Sequence, residues 1–340
     1  MRIAIVTDAW HPQVNGVVRT LAKTISLLEG WGHEILCIHP GAFRTVPLPT
    51  YPDIPLALFP YARLQGMLDE FRPDAIHLST EGPLGWAGRR YCLRRNHPFT
   101  TTYHTRFPEY VRLRVPIPLT LSYAFVRTFH KRAAFTMVAT GSMKAALEAR
   151  GFKNLADWSR GVDIEHFRPV EEPVMDLPRP IALYLGRVAV EKNIKAFLDL
   201  ELKGSKVVIG DGPALAELRK QYPAVHFLGY RENGDLVRHL ASADVMVFPS
   251  RTDTFGLVML EAMACGVPVA AYPVEGPLDV IENGVNGWMD EELGIAVAQA
   301  LKIDRDRCRR FAEGYSWERC TKQFLSLTQR RPGNGSDPAT

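Results

Sequence analysis

Short apolar runs alternate with stretches of helical spacing along almost the whole chain. The apolar runs are continuous, which is typical of parallel strands that are buried on both faces of a sheet. Amphipathic stretches such as 17–31 and 256–265 lie between them. This repetition of strand and helix predicts open, doubly wound α/β sheets. Strands are predicted at 2–8, 33–40, 74–80, 99–105, 136–141, 180–187, 206–212, 225–230, 243–250 and 267–272.

The pattern runs twice, with a proline-rich break, RPVEEPVMDLPRP, at 168–180. Such a segment is typical of a stiff connector, and the strand at 180–187 restarts the pattern after it. A chain of 340 residues is long enough for two separate cores. We predict an N-terminal domain at 1–168, a C-terminal domain at 169–315, a helix at 316–331 that crosses back to the N-terminal domain, and a disordered tail at 332–340.

Several classes of protein are disfavoured by the composition. No apolar run approaches the roughly 20 residues that span a bilayer, and MRIAIVTDAW at the N-terminus resembles a buried strand rather than a signal peptide. The five cysteines lack metal-ligand spacing and fit a reducing compartment, so we expect a cytoplasmic protein.

Positive charge is concentrated in one segment, residues 85–132, which holds ten Lys and Arg against a single acidic residue, Glu109. Aromatic side chains are interspersed there, and 119–132 has helical spacing with Leu121, Ala124, Phe125 and Phe129 on one stripe. Three interpretations remain open. The segment docks on an anionic membrane surface, it packs its stripe into the domain core, or it binds nucleic acid.

Ligands of open α/β sheets bind at the carboxyl ends of the strands, so the residues that follow each strand are the candidates for chemistry. Arg187 and Lys192 flank the turn after the strand 180–187, and such a basic pair suits a diphosphate. Gly16 begins a helix after the first strand, where a phosphate could approach backbone N–H groups. A solvated basic pair and an ordinary helix start are the alternatives.

A lone carboxylate, Glu261, lies in the apolar stretch FGLVMLEAMACGVPVAAY at 255–272. A buried carboxylate is costly unless it has partners, so Glu261 either faces water or meets the hydroxyl groups of a ligand. Asp253 precedes it by eight residues, in the loop before the same predicted helix. That position puts Asp253 near the free backbone N–H groups of a helix N-terminus.

Seven motifs occur in order along the chain: HPQVNGVVRTL (11–21), STEGPLGWAGR (79–89), TTYHTRFPEY (101–110), WSRGVDIEHFRP (158–169), GRVAVEK (186–192), GDGP (210–213) and PSRTDTFGLVMLEAMACGVPVAA (249–271). Together they resemble the retaining nucleotide-sugar glycosyltransferases of the GT-B fold, in which two Rossmann-like domains face a central cleft. This family includes phosphatidylinositol mannosyltransferases, sulfoquinovosyl-diacylglycerol synthase and sucrose-phosphate synthase. The HTRFPEY and WSRGVD pieces are similar to its lipid-mannosyl and sulfolipid branch.

The resemblance implies a role for each matching residue. Arg187 and Lys192 would hold the donor diphosphate with the backbone of Gly16, and Glu261 would hold the ribose. The family usually has Glu where this chain has Asp253, one methylene shorter, which leaves the identity of the sugar open. The remaining implied contacts are to the donor sugar, from Asp253, from the backbone of Phe255, Gly256 and Leu257, and from His104 near the anomeric carbon.

Other candidates follow from position alone. Asp8, Glu81 and Arg106 follow predicted strands of the N-terminal domain and could contact an acceptor hydroxyl, sugar or phosphate. Tyr230 and Arg231 lie in the loop where the nucleotide base would bind. An ordinary turn, a surface ion pair or a solvated side chain is the alternative for each.

The predicted function is transfer of a hexosyl unit from a nucleotide diphosphate sugar to a hydroxyl of a lipid or lipid-linked acceptor, giving an α-linked product by front-face attack. GDP-mannose is favoured and a UDP-sugar is the alternative. No cofactor and no metal are expected, and the enzyme would lie at the inner face of the membrane, docked through residues 85–132. A soluble sugar acceptor and a nucleotide-sugar 2-epimerase of the same fold are the alternative functions, and the donor motifs argue against nucleic-acid binding.

Overall fold

The structure is a computed structural model that describes residues 1–13, 15–48, 51–112, 116–170, 172, 174–253 and 255–329. The chain divides into two compact units, one formed by Met1–Ser159 with the chain from Glu318 onward, and one formed by Arg160–Trp317. Within the described ranges, each unit contains a six-stranded parallel sheet. The doubly wound α/β prediction is confirmed.

The strands are β1 (Arg2–Val6), β2 (Glu34–Ile38), β3 (Thr45–Leu48), β4 (Tyr51–Ala57), β5 (Ala75–Leu78), β6 (Phe99–Thr102), β7 (Thr136–Val138), β8 (Leu155–Asp157), β9 (Ile181–Leu185), β10 (Ser205–Ile209), β11 (His226–Gly229), β12 (Val245–Phe248), β13 (Val269–Ala271) and β14 (Gly287–Met289). The helices are α1 (Gly16–Gly30), α2 (Tyr61–Phe71), α3 (Pro83–Arg95), α4 (Phe107–Arg112), α5 (Leu119–His130), α6 (Gly141–Glu148), α7 (Ile194–Leu198), α8 (Leu215–Gln221), α9 (Asn233–Ala241), α10 (Leu257–Ala264), α11 (Pro277–Val280), α12 (Leu293–Ala300), α13 (Arg305–Glu313) and α14 (Trp317–Gln329). Short 3₁₀ turns occur at Pro40–Ala42 and Val190–Lys192.

The sheet of the first unit has the strand order β2-β1-β5-β6-β7-β8. Apolar side chains of β1 and β5 pack on α2 and α3 and form the core on one side of this sheet. Because β1, β5 and β6 are neighbours and run parallel, their carboxyl ends lie at one edge of the sheet. Residues that follow these three strands are thereby brought together.

The sheet of the second unit has the order β11-β10-β9-β12-β13-β14. β9 is central, with all five residues buried, and pairs with β10 and β12. Gly186 follows β9 and Gly210 follows β10, and the backbone is close-packed there. A Cβ on Gly210 would lie 1.9 Å from the carbonyl oxygen of Gly186. Only glycine fits there, so the GDGP motif has a packing role beside the candidate site.

The chain first passes from one unit to the other between Ser159 and Arg160, whereas the sequence predicted the domain boundary at 168. Residues 160–168 belong to the second unit, where the Arg309 guanidinium donates to the carbonyl oxygens of Ile164 and Phe167. The chain returns to the first unit at Glu318 within α14. The predicted tail at 332–340 lies outside the described residues.

Helix α14 packs in the core of the first unit. The Trp158 indole N–H donates to the carbonyl oxygen of Cys320 at 3.1 Å, and both the backbone N–H and the hydroxyl of Ser159 donate to the Gln323 side chain. Phe324 is fully buried, and its ring centroid lies 4.9 Å from that of His77.

Candidate active site

The second unit brings two strand-end loops together. β9 and β12 are adjacent parallel strands, so the loop from Gly186 to Asn193 and the loop from Pro249 to Gly256 leave the sheet at the same edge. Three side-chain contacts join the loops. Lys192 forms an ion pair with Asp253, the Asn193 amide donates to the carbonyl oxygen of Pro249 at 3.0 Å, and the Thr252 hydroxyl donates to the carbonyl oxygen of Glu191 at 3.1 Å.

The sequence did not single out Asn193 or Thr252. Both are polar residues in strand-end loops next to predicted site residues, and that position is the signal that could have found them. Their hydrogen bonds fix the two loops relative to each other, so the groups predicted to bind the donor are held in place before any ligand arrives.

The Lys192–Asp253 pair is the charged centre of this edge. Its side chains are only 23% and 16% exposed, so water screens the pair weakly. Lys192 contacts Oδ1 of Asp253, while Oδ2 is buried and has no hydrogen-bond partner among the residues that the structure describes. A buried carboxylate oxygen of this kind suits a ligand hydroxyl. Arg187 is half-buried directly after β9, at the same edge.

Helix α10 starts at this edge with a glycine. Gly256 has φ +82°, and a Cβ there would lie 2.8 Å from Cζ of Phe248. Phe255 before it is buried, and Leu257 is the first helical residue. Glu261 is only 6% exposed, which excludes the interpretation that this carboxylate faces water.

The loop predicted to meet the nucleotide base is more exposed. Tyr230 is 44% exposed, and Nε of Arg231 lies 3.1 Å from a carboxylate oxygen of Asp235 on α9. The guanidinium therefore takes part in a surface ion pair, and contact with a base stays a prediction.

In the first unit, Asp8, Glu81 and His104 follow β1, β5 and β6, so the topology places them at one edge as expected. Asp8 is buried and caps α3. Its Oδ1 accepts the backbone N–H of Leu84 at 2.8 Å, and its Oδ2 accepts the Thr80 hydroxyl at 2.8 Å and the backbone N–H of Gly85 at 3.3 Å. Burial raises the pKa of Asp8, and these hydrogen bonds oppose that shift.

The other predicted residues of this unit have definite partners or positions. Oε1 of Glu81 lies 3.0 Å from Nε2 of His130, and the ring of His104 lies edge-on to Trp158 at 5.8 Å. The Arg106 guanidinium donates to Glu109 at 3.1 Å, so an acceptor phosphate would compete with that carboxylate. Gly16 is the first residue of α1, whose N-terminus is capped by Asn15.

No group of three or more His, Cys, Asp or Glu side chains with metal-binding geometry occurs in the part of the chain that the structure describes. Over the same residues, none of the helices combines the length and the apolarity that crossing a bilayer requires.

The chain is similar to known glycosyltransferases along most of its length. Residues 14–166 match Glycosyltransferase Family 4 and residues 179–302 match Glycosyl transferases group 1. A GDP-mannose-dependent alpha-mannosyltransferase of Mycobacterium tuberculosis is 30% identical over 93% of each chain. Sulfoquinovosyl transferase SQD2 of Arabidopsis thaliana is 31% identical over 92% of this chain and 70% of its own.

A third relative, a GDP-mannose-dependent alpha-(1-6)-phosphatidylinositol dimannoside mannosyltransferase of M. tuberculosis, is 26% identical over 96% of this chain and 95% of its own. The crystal structure of HepE from Anabaena with UDP and glucose has a TM-score of 0.73 at 17% identity, covering 96% of this chain and 98% of that one. The fold is therefore that of the GT-B glycosyltransferases. The chain belongs to the glycosyltransferase family defined by the group 1 and family 4 domains, as its motifs predicted.

Proposed function

We propose that this glycosyltransferase moves a mannosyl unit from GDP-mannose to a hydroxyl of a lipid or lipid-linked acceptor, with an α-linked product. The observation that carries the donor half is the joined pair of loops in the second unit. It fixes Lys192 against Asp253 beside Arg187 and leaves one carboxylate oxygen of Asp253 without a partner among the described residues. The names of two relatives support GDP-mannose as donor, and one of them names a phosphatidylinositol mannoside.

In the proposed reaction the bond between the anomeric carbon and the phosphate oxygen breaks, and negative charge develops on the leaving diphosphate. Arg187 and Lys192 stabilise that charge. The acceptor oxygen bonds to the anomeric carbon on the same face, and its proton passes to the leaving phosphate, so the configuration is retained. Asp253 holds a hydroxyl of the sugar, and Glu261 holds the ribose.

The acceptor half draws on the surface of α5. This helix buries Tyr123, Val126 and Phe129, whereas Leu121 is 64% exposed and Phe125 is 51% exposed. The alternative interpretation, in which this stripe packs into the domain core, does not hold for these two side chains. The Phe125 ring lies 5.1 Å from that of Trp86 on α3, forming an apolar patch on the surface.

Basic side chains occur on the same segment of the chain as this patch. The Arg89 guanidinium lies over the Trp86 ring at 5.2 Å, and Lys131 and Arg132 are exposed just after α5. A further basic residue of the segment, Arg114, lies outside the described residues. Apolar side chains beside Lys and Arg suit an anionic lipid surface, at about 1 kcal/mol for each cation. Such docking would bring a lipid-linked hydroxyl within reach of the enzyme.

The donor assignment is tested by thermal shift with GDP-mannose, UDP-glucose, UDP-galactose and UDP-glucuronate. We expect GDP-mannose to raise the melting temperature most, because a ligand at 100 times its Kd stabilises the folded state by about 2.7 kcal/mol. Transfer to lipid is then measured, with NMR assignment of the product anomer. A larger shift with a UDP-sugar, or a β-linked product, would overturn the corresponding part of the proposal.

Membrane docking is tested by co-sedimentation with vesicles of phosphatidylglycerol and phosphatidylcholine. We expect binding that is lost in roughly 0.5 M salt, since the Debye length is about 10 Å at 0.1 M and shorter above it. Leu121→Ser with Phe125→Ser should abolish binding. Ile295→Ser on α12 removes a side chain that is 43% exposed in the second unit and should not affect binding. Equal binding by both variants would contradict the assignment of the α5 surface.

A further inference from the structure

A buried chain of hydrogen bonds in the first unit ends on Glu81. The hydroxyls of Thr136 and Thr101 are 3.0 Å apart, Thr101 Oγ1 lies 2.8 Å from Nδ1 of His130, and His130 Nε2 lies 3.0 Å from Oε1 of Glu81. The two threonines are fully buried and His130 is 2% exposed. The chain therefore runs from the interior of the sheet to the edge at which β5 ends.

When the His130 ring is neutral, the hydrogen bonds have one consistent direction. An ionised carboxylate only accepts, so Nε2 of His130 carries the proton that is donated to Glu81. In a neutral imidazole Nδ1 then accepts from the Thr101 hydroxyl, which in turn accepts from Thr136. Each donor points toward the carboxylate, and hydrogen bonds in series strengthen one another. The chain therefore fixes the position of one oxygen of Glu81.

A second buried histidine, His77, bonds threonine hydroxyls through both ring nitrogens and serves as the comparison for His130. Successive side chains of β6 point to opposite faces of the sheet, so Thr100 and Thr102 face away from Thr101. They bond Nδ1 and Nε2 of His77, at 2.9 and 3.0 Å. Both ring nitrogens of His77 thus serve buried threonines, whereas His130 links its threonine to a carboxylate.

Glu81 itself is held at only one oxygen. Its side chain is 14% exposed, and across the described ranges Oε2 makes no hydrogen bond. We propose that His130 is a positioning residue, which holds Glu81 so that Oε2 accepts a hydrogen bond from a hydroxyl of a sugar or cyclic-polyol head group on the acceptor. This inference rests on the proposed function, because it assigns part of the acceptor site of the same reaction.

The test compares two substitutions of one ring. His130→Asn keeps an amide near the position of Nδ1 but cannot reach Glu81, while His130→Gln places an amide N–H near the position of Nε2. His77→Asn is the matched control, since it removes the same type of buried ring on the other face of β6. Initial rates are measured with the preferred nucleotide sugar and with vesicles of phosphatidylinositol, phosphatidylglycerol or diacylglycerol, or with soluble myo-inositol and methyl α-mannoside.

We expect His130→Asn to raise the acceptor KM roughly 10-fold or more, because the charged Glu81 carboxylate loses the hydrogen bond from His130 that positions it. The donor KM should stay within about twofold, and His130→Gln should restore most of the acceptor KM. His77→Asn should lower the melting temperature but leave the acceptor KM unchanged. If His130→Asn does not fold, Thr101→Val tests the same chain and should raise the acceptor KM a few-fold.

An acceptor KM that His130→Asn leaves at the wild-type value would overturn the proposal, as would equal KM values for the Asn and Gln variants. For Thr101→Val, an unchanged KM has the same meaning. Transfer to soluble alcohols but to no lipid would overturn the lipid acceptor alone, because the same KM comparison on the soluble alcohol still decides the role of His130. Transfer to none of these acceptors would overturn both proposals.

Discussion

Replacing Lys192 by methionine separates the structural role of the ion pair from its chemical role. The substitution leaves the Asp253 carboxylate uncompensated in a place where the pair was only 23% and 16% exposed. Removing one partner of a fully buried pair costs about 3–5 kcal/mol, and an exposed pair contributes about 0–1 kcal/mol. For this intermediate exposure we expect a loss of about 1–3 kcal/mol in the free energy of unfolding.

The effect on the melting temperature follows from the size of the unit, which spans Arg160–Trp317. One kcal/mol shifts the melting temperature of a domain of this size by about 2–4 °C, so Lys192→Met should lower it by roughly 2–12 °C. Adding Asp253→Asn removes the uncompensated charge, and at least half of the lost stability should return.

Turnover should behave differently from stability. An ammonium group has three donors, so Lys192 can keep its contact with Asp253 and still bind a phosphate oxygen. Losing one preorganised donor to developing charge costs about 2.7–4 kcal/mol, which is roughly a 100- to 1,000-fold fall in kcat. The double variant should therefore regain stability but not activity.

Initial-rate transfer and thermal unfolding are measured for four proteins: the wild type, Lys192→Met, Asp253→Asn and the double variant. Lys195→Met is the control, because it removes an exposed lysine of α7 three residues away. A kcat for Lys192→Met within about 10-fold of the wild type would refute the diphosphate role. A double variant no more stable than the single one would refute the reasoning about the buried charge.

Three further predictions follow from single features of the structure. Gly256→Ala should lower the free energy of unfolding, measured with denaturant, by about 2–4 kcal/mol, because the left-handed conformation costs about 1–2 kcal/mol and the added Cβ also meets Phe248. Gly284→Ala is the control. Gly284 has φ +81° and nothing within 4 Å of the added Cβ, so this change should cost only the conformational part. Burial raises the pKa of the thiols of Cys37, Cys92, Cys265 and Cys308 to about 12, so at pH 8 Ellman's reagent should label these four slowly in the native protein and all five cysteines rapidly after denaturation. Transfer should persist in EDTA without added divalent metal, and a requirement for Mg²⁺ or Mn²⁺ would contradict the metal-independent mechanism.

The sequence predicted the strands that are continuous, apolar and central, because a parallel strand covered on both faces must be apolar throughout. It missed the antiparallel hairpin of β3 and β4, since TVPLPTYPDIPLALFP at 45–60 is rich in proline and proline disfavours a strand assignment. It also missed β8 and β14, which have three residues each and no pattern of their own. Strands this short form because the backbone groups of a neighbouring strand are available for hydrogen bonding, as β7 is for β8 and β13 is for β14.

The candidate site was predictable to the level of loops. Parallel topology sends the carboxyl ends of neighbouring strands to one edge, so residues after β9 and β12 had to lie close together. Which side chain meets which depends on packing between residues about 60 apart, as for Lys192 with Asp253 or Asn193 with the carbonyl oxygen of Pro249. The cap that Asp8 provides to α3 is likewise a contact of distant segments, and no local pattern marks it.

Helix α5 shows a different limit of the same kind. Leu121, Phe125 and Phe129 share a helical spacing, and the sequence placed them on one stripe. In the structure Phe129 is buried while the other two are exposed, because the buried face is centred on Tyr123, Val126 and His130. An apolar stripe about as wide as a helix face fits two rotations of the helix, and only the neighbouring elements decide between them.

Each unit has a carboxylate just after a strand, Asp253 in one and Glu81 in the other, and both carboxylates are held in the same way. Lys192 binds one oxygen of Asp253, and His130 binds one oxygen of Glu81, while the second oxygen of each has no hydrogen bond from any residue within the described ranges. Fixing one oxygen orients the carboxylate before a ligand arrives, and the entropy of ordering it is lost on folding rather than on binding. A hydroxyl is the natural partner of the second oxygen, because it donates one hydrogen bond without bringing charge. Two half-occupied carboxylates, one in each unit, are therefore what an enzyme needs if it must recognise hydroxyl groups on both a donor sugar and an acceptor.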